Sequence, residues 1–160
     1  TAGVSPFMQP TAESCTGGLL GHCLTQVPGA SEVYMGGVVS YANDLKLSLL
    51  GVRQECLDRH GAVSMETARE MARGIRARTG ARVGVGISGI AGPGGGRPGK
   101  PEGLVFVHVS APEGEFGVYR IFPAGDRDLV KQRAVTLALT QLLRLVQDKP
   151  MDMLPSREPV

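Results

Sequence analysis

Apolar periodicity along this chain switches repeatedly between the helical repeat and the alternating repeat of strands. That pattern admits an α/β fold and argues against segregated all-α or all-β classes. A helix is predicted over residues 18–27, stopped by Pro28 and Gly29, and residues 33–41 (VYMGGVVSY) read as a strand. Asn43 is placed to cap a short helix that carries Lys46 and ends at Gly51. A second short helix over 54–59 ends at Gly61. Ser64 then caps a longer one in which Ala68, Met71, Ala72 and Ile75 form an apolar stripe and Gly80 closes the element. Arg69, Arg73 and Arg76 share another face of that helix, read as solvated. Residues 83–88 form a β-branched strand interrupted by glycines, and 103–110 with 116–122 form an antiparallel hairpin about the turn 111–114. The last helix starts at Asp126 and stays apolar on one face until Pro150. One domain over residues 1–150 is expected, followed by a polar, mobile tail over 151–160.

Charge and composition limit the partners. Lys and Arg total 17 against 15 for Asp and Glu, a net charge of +2, and the chain has three Tyr, four Phe and no Trp. Neither a nucleic-acid footprint nor a set of stacking platforms is present. No apolar run approaches the ~18 residues of a membrane span. The opening residues lack the charged start and apolar middle of a signal peptide, so a cytoplasmic protein is expected. Cys15, Cys23 and Cys56 match neither a disulfide framework nor a zinc site, which predicts reduced thiols. His22, His60 and His108 lack the spacing of metal ligands, and no metal or other cofactor is expected.

The chemistry concentrates where Thr11-Ala12-Glu13-Ser14-Cys15-Thr16-Gly17-Gly18 runs into Leu19-Leu20. A hydroxyl there sits where a chain turns into a helix, beside N–H groups that have no internal partner and carry the positive end of the helix dipole. Ser and Thr are also ordinary helix caps, so a structural role for the segment stays open. Cys15 is an alternative nucleophile, but adjacent side chains in a turn point different ways. No Asp or Glu is placed to orient a histidine, which leaves a Ser-His-Asp triad unsupported. A lysine base remains. Lys46 would have to lose its proton near neutral pH, far below the ~10.4 of an ordinary lysine, which requires burial or nearby positive charge.

The stretch from Gly89 to Pro101 is the longest Gly/Pro-rich loop. Its surroundings offer two motif matches. Gly84-Val85-Gly86-Ile87-Ser88-Gly89 satisfies G-x-G-x-x-G, yet no helix opens after it, and Gly94 to Lys100 satisfies G-x-x-x-x-G-K with Pro101 where a Ser or Thr should follow. Neither is read as a nucleotide fingerprint. A loop rich in unhindered N–H groups with Ser88 at its mouth can still wrap a phosphate or carboxylate.

Six segments occur in the order seen in one known family: TAESCTGG at 11–18, YANDLKLSLLGV at 41–52, HGAVS at 60–64, GISGIAGPGGG at 86–96, KPEGLVFV at 100–107 and GDRDLVKQRAV at 125–135. On these the chain resembles the CinA C-terminal domain family, which includes a nicotinamide-nucleotide amidase. The resemblance implies a three-layer α/β/α sandwich with a mixed, mostly parallel sheet. It also implies a homo-oligomer, a dimer being favoured. The implied reaction is deamidation of nicotinamide mononucleotide to nicotinate mononucleotide and ammonia, in pyridine-nucleotide recycling. It puts the nucleophile on Ser14, its partner on Lys46 and a hydrogen-bonding helper on Tyr41. Substrate contacts are expected from Cys15, Thr16, Gly17, Gly18, Asn43, Ser88, Gly89, Gly92, Gly94 and Gly95, with Arg127 and Arg133 as further phosphate contacts. A non-catalytic nucleotide-binding or regulatory module using the same loop is the alternative. One departure from the family pattern is the lead-in Pro6-Phe7-Met8-Gln9-Pro10, which predicts an edge-like, shortened or displaced first strand.

Overall fold

The computed structural model describes residues 9–147. The expected tail over 151–160 and most of the proline-bounded lead-in lie outside the described residues. In chain order the elements are β1 (Pro10–Glu13), α1 (Leu19–Thr25), a 3-10 turn (Ala30–Glu32), β2 (Gly36–Val39), α2 (Asn43–Leu50), α3 (Gln54–His60), α4 (Met65–Thr79), β3 (Gly84–Gly89), β4 (Leu104–Ala111), β5 (Gly114–Ile121) and α5 (Arg127–Val146).

The five strands form one mixed sheet in the order β2-β1-β3-β4-β5. β1 is parallel to both β2 and β3, whereas β3–β4 and β4–β5 are antiparallel. The α1 and α5 helices cover one face over a core of Leu20, Val85, Ile87, Val105, Val107, Val130 and Ala134. The other face carries α2, α3 and α4, with Ala12, Leu50, Val52, Met71 and Ile75 between them. Two cores on opposite faces of one sheet make the three layers of an α/β/α sandwich.

Several local expectations are realised by identifiable bonds. Ser64 Oγ accepts the Thr67 amide at 3.1 Å and Asp126 Oδ1 accepts that of Leu129 at 3.0 Å, so both caps act as such. The hairpin closes through the pair Ala111↔Gly114. Others are corrected. β1 is short, but it lies between two strands rather than at an edge. Its proline is tolerated because Pro10 is the first residue and pairs only towards β2, pairing with β3 beginning at Thr11. The strand expected over 33–41 shrinks to Gly36–Val39, since the amides of Val33 and Tyr34 both fold back onto Ala30 O. Asn43 does not cap α2: Ala42 occupies the cap position and Asn43 is the first helical residue. The arginine face of α4 is partly tied down, with Arg73 paired to Glu115 at 3.1 Å and Arg76 bonded to Ser110 Oγ at 3.3 Å.

The G-x-G-x-x-G match is β3 itself. Val85 and Ile87 point into the α5 side, while Gly84 and Gly86 face α4, where added Cβ atoms would collide with the carbonyl oxygens of Ala72 and Ala68. These glycines bring a helix against the sheet and leave no room for a dinucleotide. Gly86→Ala is therefore expected to cost about 2–3 kcal/mol in chemical denaturation. A loss below ~0.5 kcal/mol, the size of an ordinary surface substitution, would contradict this packing.

Candidate functional site

β1 delivers Ser14 to the carboxyl end of the sheet, where its amide continues the β1–β3 ladder by bonding Ile87 O at 3.0 Å. The chain then turns through Gly17 and Gly18, both at positive φ, into α1. Glu13 is only 2 % exposed and folds its side chain under this turn. Its Oε2 accepts Thr16 Oγ1 at 2.6 Å and the amides of Gly18 and Leu20 at 3.1 and 3.0 Å. Its Oε1 accepts the Gly21 amide at 2.9 Å and Thr11 Oγ1 at 3.3 Å. The donors that a helix start normally leaves open are thus filled from inside the protein. The Gly17 amide is also committed, to Ser14 O at 3.0 Å. Among the described residues, the amides of Cys15 and Thr16 donate to no other residue.

Lys46 reaches the same point from α2. It is 1 % exposed, and its Nζ lies 3.2 Å from Ser14 Oγ, 2.7 Å from Ser40 O and 3.3 Å from Tyr41 O. Burial pushes this amine below the ordinary lysine value. Among the described residues no carboxylate pairs with it to oppose that shift. Cys15 borders the cleft beside Ser14, but it packs into the core beneath α1 and α5, and burial pushes its thiol up to about 12. A thiol of that kind is not a nucleophile near neutral pH.

Ser14 and Lys46 open onto a cleft of about 450 Å³. Its walls are Tyr41, the α3–α4 connection at Ala62 and Val63, the end of β3 with the loop Gly89–Gly95, and Arg97 and Arg127. Gly89, Gly92, Gly94 and Gly95, expected as substrate contacts, all line it. Ser88 also lines the cleft, but its hydroxyl donates to Ala62 O at 2.5 Å and fastens β3 to the neighbouring connection. Arg127 is divided, giving Nη1 to Gly92 O at 2.6 Å and Nη2 to the Tyr41 hydroxyl at 2.7 Å. The Tyr41 side chain is 59 % exposed and bonds Arg127, so the Tyr41 group that meets Lys46 is the backbone carbonyl.

Other expected contacts are not brought to the cleft. Thr16 is fully buried with its hydroxyl on Glu13; Gly17 and Gly18 shape the turn; Asn43 is exposed at the start of α2; and Arg133 does not line the cavity. The sequence reading missed Glu13, the Ser40 carbonyl, Arg97 and Glu102, whose Oε1 accepts the Gly94 amide at 2.7 Å. An acidic residue just before a helix start was the available signal for Glu13. Among the described residues no set of three His, Cys, Asp or Glu side chains converges as a metal site, and no helix is long and apolar enough to cross a membrane.

Comparison with known proteins agrees with this architecture. Residues 8–146 match the model of the CinA C-terminal domain. A CinA-like protein of Thermotoga sp. (strain RQ2) is 49 % identical over 138 residues, which are 86 % of this chain and 33 % of that protein. A putative competence-damage inducible protein of Caldanaerobacter subterraneus subsp. tengcongensis is 45 % identical over 146 residues, 91 % of this chain and 35 % of that protein. The chain thus spans about a third of the length of the curated relatives it matches. The crystal structure of the competence/damage inducible protein CihA from Agrobacterium tumefaciens superposes with a TM-score of 0.86 at 42 % identity, covering 89 % of this chain and 87 % of that one. A CinA superfamily protein from Escherichia coli gives a TM-score of 0.82 at 38 % identity, covering 88 % and 81 %. The chain belongs to the CinA C-terminal domain family.

Proposed function

We propose that this domain is an amidohydrolase that deamidates nicotinamide mononucleotide through a Ser14 acyl-enzyme with Lys46 as the general base. The observation that carries the reading is the contact between Ser14 Oγ and a lysine amine that is out of water and without a carboxylate partner. A neutral Lys46 has two N–H groups and one lone pair. The carbonyls of Ser40 and Tyr41 take the former, and the lone pair is left for the Ser14 hydroxyl proton. Attack forms the bond from Ser14 Oγ to the carboxamide carbon while Lys46 takes the proton. The amides of Cys15 and Thr16, which donate to no other described residue, are the donors available to the developing oxyanion. Lys46 then returns the proton as the C–N bond breaks and ammonia leaves, and water repeats the sequence on the ester. The choice of a pyridine nucleotide rests on the family resemblance and is supported by a cleft with two arginines and glycine amides on its walls.

Ammonia release from nicotinamide mononucleotide without added metal tests the reading, with nicotinate mononucleotide confirmed as product. Ser14→Ala and Lys46→Ala are each expected to lower kcat by roughly 10³-fold or more. A folded wild-type chain that releases none removes this substrate and favours the binding-module alternative.

The pH dependence has a defined sign. The base is the deprotonated amine and its pKa is lowered from 10.5, so kcat/KM rises with pH on a single-proton limb centred below 10.5. A limb centred at or above 10.5 would mean a lysine no different from one in water. Iodoacetamide at mildly alkaline pH is expected to spare Cys15 and leave turnover intact. Alkylation mapped to Cys15 by mass spectrometry, with loss of turnover, would transfer the nucleophile to the thiol.

A further inference from the structure

We infer that Glu13 is a positioning residue for both halves of the site, acting through the turn after Ser14 and through Ser40. The inference rests on the serine acylation chemistry proposed above. Three features of Glu13 carry it. Its backbone is registered on both sides, opposite Val39 of β2 and Ile87 of β3. Its carbonyl accepts the amide of Ser40 at 2.8 Å, and the Ser40 carbonyl in turn holds Lys46 Nζ at 2.7 Å. Its carboxylate receives five donors, four of them from residues 16–21 of the turn and α1. One residue thereby fixes the lysine carrier on one side and the serine turn on the other.

Thr16 gives Glu13 its hydroxyl but not its amide, and the amides taken start at Gly18. The two amides immediately after the nucleophile donate to no other residue among the described residues. Among those residues no lysine or arginine pairs with the carboxylate, so its partners are oriented N–H and O–H dipoles at a helix start. A glutamine could not replace it. One of its two terminal atoms is a donor, and either orientation would set N–H against N–H at a position where Glu13 now accepts. The turn would have to rotate to relieve that clash, carrying the Cys15 and Thr16 amides with it.

Glu13→Gln tests this. Two quantities are measured: kcat and KM for amide hydrolysis, and the rate at which a fluorophosphonate labels Ser14, on protein shown by circular dichroism and thermal melting to be folded. Expected is a fall in kcat of roughly 30- to 100-fold with KM within about twofold, and a parallel fall in labelling. Unchanged kcat and labelling in a folded variant overturns the inference, as does a rise in KM alone. Should Glu13→Gln fail to fold, Thr16→Val removes one bond to Oε2 and keeps every amide. It is expected to lower kcat and labelling about fivefold at constant KM, and no change overturns the inference. Wild-type protein that is labelled at Ser14 but spares nicotinamide mononucleotide fails the substrate assignment alone, and the labelling comparison still decides on Glu13. Wild-type protein that is neither labelled nor active overturns both.

Discussion

A primary amine buried against two backbone carbonyls and a hydroxyl is the constraint around which the site is arranged. An ammonium taken out of water loses hydration that carbonyl dipoles restore only in part, and without a carboxylate the balance tips towards the neutral amine. Lys46 is in that position because α2 starts immediately after β2 and carries its side chain back towards the sheet. The two carbonyls that receive it, those of Ser40 and Tyr41, belong to the connection between those two elements. The strand, the connection and the helix therefore cooperate on one nitrogen atom. The serine that meets it comes from the neighbouring parallel strand, so the parallel pairing of β1 with β2 sets the approach of one to the other.

The two faces of the sheet are built to different tolerances. On the α5 side, β-branched residues from β3 and β4 meet an alanine- and valine-rich helix face in ordinary side-chain packing. On the α4 side, glycines at 84 and 86 allow the helix backbone to approach the strand, and Gly74 does the same against the end of α2. That close approach draws α2 and the α3–α4 connection in towards the carboxyl end of the sheet. Ser88 completes the arrangement by bonding Ala62 O. The cleft wall opposite the loop is thus a consequence of missing side chains some distance away.

Much of the fold was legible because its signals are local. Ser64 and Asp126 cap by side-chain contacts three residues away, and the hairpin announces itself by Pro112 between two alternating runs. The serine turn was legible for the same reason, and Lys46 was reached as the remaining base candidate and then by family likeness. What stayed hidden depends on contacts distant in sequence or on the direction a side chain takes. The direction of the Glu13 carboxylate, turned under α1, is one such feature. The bonds of Arg127 to Gly92 O and the Tyr41 hydroxyl, 35 and 86 residues away, are among the distant contacts. Thr16 and Cys15 are adjacent in sequence, yet Thr16 gives its hydroxyl to Glu13 away from the cleft, while Cys15 borders the cleft and is held in the core.

Occupation of the α1 start by Glu13 has a bearing on how an acidic substrate can lie. A helix N-terminus is the usual cradle for a phosphate, and here it is closed by an internal carboxylate. Placing a phosphate there would oppose two negative groups at a buried position, a cost that Coulomb's law makes large wherever water is excluded. Under the amidase reading the carboxamide therefore points towards the Ser14 turn and the anionic tail lies away from it. The cations that line the cleft in that direction are Arg127, whose guanidinium is shared between two walls, and Arg97, which among the described residues makes no side-chain hydrogen bond. Under that reading, the carboxylate that shapes the turn at one end of the cleft opposes the reversed binding mode, and orientation of the substrate becomes a property of charge as well as of shape.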